Sequence, residues 1–238
     1  MITRIKWTKA LDDDLWDLHE EHKGWSSQKI SEEMGLPWKA VDNRLYKLKL
    51  ERNEHWLEHS RIGCFDIESA SLDANAGGYL LSWAMLLPGG ESLSALITKA
   101  EIFNGKLDKR LVKQAVKAIK SVDIVCTYFG TGFDIPFLRA RALYWGIHFP
   151  AYGQIGHLDL FYAARSLLKL SNKRMGTVTG FLGMTEKDHY DVSVWNRARL
   201  GDPEALDNVL RHNIEDVKIT QDLLVTLAPY RKWTRRSI

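Results

Sequence analysis

Four acidic residues in three separate segments are the side chains of this chain most able to act together: Asp66 and Glu68 in GCFDIES, Asp134 in TGFDIPFL and Asp216 in RHNIEDV. A clamp of carboxylates can hold two divalent ions about 4 Å apart, one to generate hydroxide and one to stabilise the leaving oxygen of a phosphodiester. Hard oxygen ligands of this kind select Mg2+ or Mn2+. The expectation is therefore a nuclease site with two ions held by Asp66, Glu68, Asp134 and Asp216. Asp216 carries weight only in company with the other three, since a lone acid on a helix is usually a solvated group.

The elements that must position these acids can be read in turn. Residues 61–67 (RIGCFDI) are short, apolar and bounded by polar residues, which predicts a buried strand ending near Glu68. Residues i and i+2 of a strand share a face, so Asp66 and Glu68 project together while Phe65 and Ile67 enter the opposite layer. Two carboxylates on one face repel each other unless a cation lies between them. Residues 122–128 predict a second strand, followed by a loop with Gly130 and Gly132 and a helix from about Asp134. With Pro136 in the first turn, capping that helix is the alternative role for Asp134. Residues 204–227 form a long amphipathic stretch on which His212 and Asp216, four apart, share a face.

The blocks FDIES, YFGTGFDIPFLRARA and HNIEDV resemble the three motifs of the DEDD (proofreading 3′-5′) exonuclease superfamily, within the ribonuclease-H-like fold. The resemblance is greatest to a branch of ribonuclease-H-like exonucleases in which a block similar to HLDLFYAARSLLKLSNKRMGTVTGFLG lies between the second and third motifs. It covers residues 60–227, and motif order, spacing and the intervening block agree. It implies a 3′-5′ exonuclease acting on nucleic acid, DNA before RNA, with a polymerase or a repair or replication assembly as protein partner. The third motif departs from the pattern. The family places its general base either as a tyrosine four residues before the last aspartate or as a histidine five before it, and here the tyrosine spacing carries His212. A neutral imidazole can take a proton from water at that place; the alternative is a histidine that only orients the water.

Other polar groups carry less. Asp159 lies between a short strand at residues 155–158 and a helix at 160–168, which predicts a helix cap. Lys169, Lys173 and Arg174 are either phosphate contacts beside the acids or ordinary surface charges.

Residues 1–59 read as a separate module of three helices: one carrying Leu11, Leu15, Trp16 and Leu18, one over 27–34 stopped by Gly35, and one over 38–48 opened by Pro37. The tryptophan-threonine opening and the ISxxMGL…AVxxRLxxL run resemble a Myb or SANT-like helix-turn-helix. The module holds ten Lys and Arg against twelve Asp and Glu, but the third helix concentrates Lys39, Arg44, Lys47 and Lys49. These are expected to bind nucleic acid, with Lys39 and Arg44 exposed; the alternative is a protein-interaction bundle.

The 238 residues leave 60–238 for the catalytic domain, ending in a basic tail. A 45% hydrophobic composition with nine tryptophans supplies an ample core, and the net charge of +3 suits a polyanionic partner without requiring one. Cys64 and Cys126 fall in strands and read as reduced core residues. No apolar run reaches the length of a membrane span and the N-terminus lacks the apolar core of a signal peptide. The expectation is an intracellular protein without membrane contact, cytoplasmic or nucleoid-associated, with a viral origin as a further alternative.

The fold expected is α/β: a ribonuclease-H-like mixed sheet flanked by helices, preceded by a small all-α module. Strands near 62–67, 79–87 and 93–98 can be joined by turns into an antiparallel meander, whereas those near 124–128 and 155–158 alternate with helices and should run parallel. The function expected is a two-metal 3′-5′ exonuclease. The alternatives are a structure-specific endonuclease on the same fold, or a DNA-binding regulator whose nuclease-like domain is only a scaffold.

Overall fold

The computed structural model describes residues 5–22, 25–45, 47–48, 60–75, 77–184 and 191–230. They fall into two compact units, one within the first 59 residues and one beginning at Ser60.

In the N-terminal unit, α1 (Lys9–Glu21) is capped by the Thr8 hydroxyl and α2 (Ser27–Glu33) by that of Ser26. Gly35, at φ +62°, ends α2 in the left-handed conformation that favours glycine, and Leu36 N–H closes the turn onto Ser31 C=O. α3 follows over residues 38–45 and 47–48. Leu15, Ile30, Val41, Leu45 and Leu48 form the core of this unit, ringed by Trp7, Trp16, Trp25 and Met34.

The second unit is built on a five-stranded sheet in the order β3-β2-β1-β4-β5. β1 (Ile62–Ser69), β2 (Leu80–Leu86) and β3 (Ser92–Leu96) form the antiparallel meander; β4 (Ile124–Thr127) and β5 (Gly156–Asp159) run parallel to β1. The mixed sheet read from the sequence is thus present with its directions. β1 is central, with an antiparallel neighbour on one side and a parallel one on the other.

Between β3 and β4 lie α4 (Lys99–Phe103) and α5 (Lys109–Ile119); α6 (Asp134–Tyr144) joins β4 to β5. After β5 come α7 (Leu160–Leu167), α8 (Met175–Phe181), α9 (Val192–Ala198) and α10 (Pro203–Leu227). Phe65 and Ile67 enter the principal core with Leu111, Ala115 and Ile119 of α5 and Leu138 of α6. α5 and α6 are clamped by Arg141, whose guanidinium donates to both oxygens of the fully buried Asp108, at 2.8 and 2.6 Å. Asp108 also accepts from Leu80 N–H, which ties β2 to the same pair. Among the described residues, no helix is long and apolar enough to cross a membrane.

Candidate active site

The alternation of β1 turns Asp66 and Glu68 toward α10, the opposite way from Phe65 and Ile67. Regular pairing with β2 is interrupted by a register shift between Glu68 and Ser69, so the second acid stands at the irregular end of the strand. On α10, His212 and Asp216 lie one turn apart and face it. His212 Nε2 is 3.7 Å from Glu68 Oε1 and 3.9 Å from Asp216 Oδ2. Among the described residues, Glu68, His212 and Asp216 are the group whose metal-binding atoms all lie within 4.8 Å of one another.

Asp66 and Asp134 lie outside that group and adjoin it through β1. Asp66 Oδ2 accepts a 2.8 Å hydrogen bond from Asn213 Nδ2, on the same helix as His212. Asp134 does not cap α6. The capping position belongs to Phe133, which makes no side-chain cap bond, and Asp134 is the first helical residue. Its Oδ1 instead accepts from the backbone N–H of Ile67 at 3.0 Å, the amide between Asp66 and Glu68. The capping alternative fails because the carboxylate is turned into the sheet.

A tight loop makes that turn possible. Phe129 has φ +65°, a left-handed conformation uncommon for a bulky residue. A Cβ on Gly130 would lie 2.4 Å from Thr127 Oγ1, and one on Gly132 would lie 2.5 Å from the Phe129 ring, so a side chain at either would force its neighbour to move. Asp159 holds the loop from β5. It accepts from Phe129 N–H and Thr131 N–H, both at 2.9 Å, while also capping α7 through Phe161 N–H at 3.0 Å. The predicted capping role is present, but it is one part of a larger one.

Electrostatics set Asp134 apart. Burial is the main cause that pushes its carboxyl up to about 7; the Asp159 and Asp216 carboxylates push the same way, against the hydrogen bond from Ile67. A buried acid that favours its proton beside two other carboxylates has a deficit of positive charge. The oxygen donors of the neighbouring carboxylates fit a hard divalent cation.

The basic residues separate into several cases. Lys39 and Lys47 on α3 are exposed, and Lys49 lies outside the described residues. Arg44 corrects the expectation of exposure. It is half-buried, its Nε donating to Asp12 Oδ1 at 2.6 Å and its Nη2 to Asp12 Oδ2, because the acidic stretch of α1 packs against the basic helix. Lys173 is half-buried and donates to Leu170 C=O at 2.8 Å, and its own carbonyl accepts from Tyr128 Oη at 2.7 Å. Arg174 is exposed at the start of α8.

Two residues of the site are absent from the sequence-based set. Asn213 is fully buried on Asp66. Trp195, on α9, donates from Nε1 to Glu68 Oε2 at 3.0 Å and stands edge-on to the His212 ring. Asn213 was legible as the neighbour of His212 inside the third motif, whereas α9 spans only seven residues, too few for a helical period to announce it.

Comparison with known proteins agrees with this architecture. The family described as the RNase_H superfamily matches residues 63–228. A DNA polymerase of Methanocaldococcus jannaschii is 31% identical over 102 aligned positions, covering 34% of this chain and 6% of its own length. One from Desulfurococcus sp. (strain Tok) is 24% identical over 205, covering 76% of this chain and 25% of its own length. The solved family B DNA polymerase of Pyrobaculum calidifontis superposes with a TM-score of 0.59 at 21% identity, over 71% of this chain and 25% of that one, a likeness of fold. This chain thus spans a quarter or less of the length of these polymerases.

Proposed function

This chain belongs to the RNase_H superfamily, and we propose that it is a metal-dependent 3′-5′ exonuclease acting on nucleic acid, DNA in preference to RNA. The observation that carries the reading is the convergence of β1, α6 and α10 on one point, with Glu68, His212 and Asp216 within ligand distance and Asp134 bonded to the amide between the two β1 acids. The resemblance of the three motifs to those of DEDD exonucleases supports the direction of cleavage, and the DNA polymerases among its relatives support the substrate and a replication or repair setting.

In this reading Asp66, Glu68, Asp134 and Asp216 hold two ions, Mg2+ or Mn2+. Bound there, the ions supply the Lewis acidity that phosphodiester hydrolysis requires. The chain supplies the rest. Asp134, whose burial favours the protonated carboxyl, would be held as a carboxylate by cations bound beside it. His212 accepts or steers a proton of the attacking water, from a position facing Glu68 and Asp216. Asn213 and the Ile67 amide hold Asp66 and Asp134 in place.

We assign residues 1–59 to a module that places the substrate, with Lys39 and Lys47 as its phosphate contacts and Arg174 as a further contact in the catalytic domain. The test is incubation with 3′- and 5′-labelled DNA and RNA oligonucleotides, single and double stranded, with Mg2+, Mn2+ or chelator. Stepwise, chelator-sensitive loss of 3′ nucleotides is the expected result. Internal cuts would favour the endonuclease alternative, and no metal-dependent cleavage of any substrate would sink the reading.

A further inference from the structure

The acid motifs require nothing of α9, yet this short helix reaches two of their side chains. It is fixed at its start by Asp191, which accepts from Ser193 N–H at 2.7 Å. At its far end Arg197 lies 3.5 Å from Asp202 and 3.3 Å from Glu204. Asp202 caps α10 through Ala205 N–H, so α9 is tied to the start of the helix that carries His212 and Asp216. Trp195, half-buried in the middle of α9, touches β1 and α10 together. Its Nε1 donates to Glu68 Oε2 at 3.0 Å, and its ring stands at 90° to the His212 imidazole with centroids 5.4 Å apart.

We propose that Trp195 is a positioning residue for the metal site, holding Glu68 in the rotamer that presents Oε1 to His212 and Asp216. An unanchored glutamate has three torsions to fix before it can ligate, and ordering them costs side-chain entropy. The indole N–H is a donor only. It can neither bind a cation nor accept a proton from water, so its effect runs through the carboxylate it holds. One oxygen of Glu68 is thereby taken by a neutral donor and the other is left toward the cluster. The ring edge restricts the imidazole plane at the same time, in an edge-to-face arrangement favourable for aromatic pairs. Outer partners of metal ligands commonly govern metal affinity by 10–100-fold.

The inference rests on the metal-dependent reading of the site, and the experiment separates the two. Mn2+ binding is measured by calorimetry on the full chain for wild type and Trp195→Phe, which keeps an aromatic ring and removes the N–H. The expected result is binding weakened roughly 10–100-fold in the Phe variant, with the metal-free melting temperature changed little and the single-turnover rate restored at saturating Mn2+. A merely structural tryptophan would lower the melting temperature and leave Mn2+ affinity alone. Equal Mn2+ affinity in the two proteins overturns this inference; a wild-type chain that takes up no Mn2+ overturns the metal-dependent reading beneath it. The unmodified chain gives a second measurement that survives a poorly folding variant. The Trp195 indole N–H resonance should shift on titration with Mg2+, and an unmoved resonance at saturation overturns the proposal.

Discussion

Asn213 donates its side-chain amide to Asp66 Oδ2 at 2.8 Å, joining α10 to β1 across 147 positions of sequence. The asparagine is fully buried while Asp66 is half-buried, so the bond fixes a partly solvated carboxylate from a side chain that water does not reach. Asn213→Ala should therefore free Asp66 to rotate and lower the rate of metal-dependent cleavage by about 10–100-fold, as loss of an outer partner does elsewhere. Asn213→Asp should do worse, because it adds a carboxylate to a cluster already short of positive charge. Single-turnover rates at fixed Mg2+ test both.

Removal of a ligand should be more severe. Asp66→Ala or Asp134→Ala should abolish detectable cleavage while the far-ultraviolet dichroism stays native. Undiminished metal-dependent activity in either purified variant would falsify the assignment of these carboxylates.

Asp134 also predicts a stability profile. Its folded-state pKa, about 7, lies above the ordinary 3.8, so the protonated form is the one that folding favours. The contribution is fully present below about pH 4 and is lost as pH rises through about 7. The metal-free wild type should then melt lower at pH 8 than at pH 5 by more than Asp134→Asn does. At pH 8 the metal-free Asn variant should melt higher than metal-free wild type. Mg2+ should raise the melting temperature of wild type at pH 8 and not that of the variant. Parallel pH profiles for the two metal-free proteins would remove Asp134 from the account.

His212→Ala should lose about 10²–10⁴-fold in single-turnover rate if the imidazole handles the proton of the attacking water. His212→Tyr should retain part of it, since the motif it resembles carries tyrosine at this spacing. An Ala variant as fast as wild type would place the role on another group.

For the N-terminal unit, Lys39→Glu with Lys47→Glu should weaken binding to long duplex-containing substrates and flatten its dependence on salt, because fewer counterions are released. Cleavage of a short single strand should be spared. Arg44→Glu should behave differently, breaking the pair with Asp12 and lowering stability. A salt titration unchanged by the lysine substitutions would favour protein docking as the work of this unit.

The strands and their directions were legible because β1 alternates cleanly around Asp66 and Glu68, and because a tight turn at residues 88–90 joins β2 to β3. The pairing of His212 with Asp216 followed from helical spacing alone. What escaped the sequence depends on contacts between distant segments. The capping role weighed for Asp134 was locally sensible, and only its bond to Ile67 N–H, 67 positions away, decides against it. Arg44 was read from the charges of its own helix, whereas its partner Asp12 lies 32 positions earlier. Trp195 reaches Glu68 from 127 positions downstream, on a helix too short to show a period.

The delivery of His212, Asn213 and Asp216 by α10 to acids on β1 has a consequence for biosynthesis. During translation β1 leaves the ribosome long before α10 is made, and through that interval the two β1 acids have neither the imidazole nor the last carboxylate beside them. A chain arrested or clipped before α10 would keep Asp66, Glu68 and Asp134 but lack every α10 side chain that faces them.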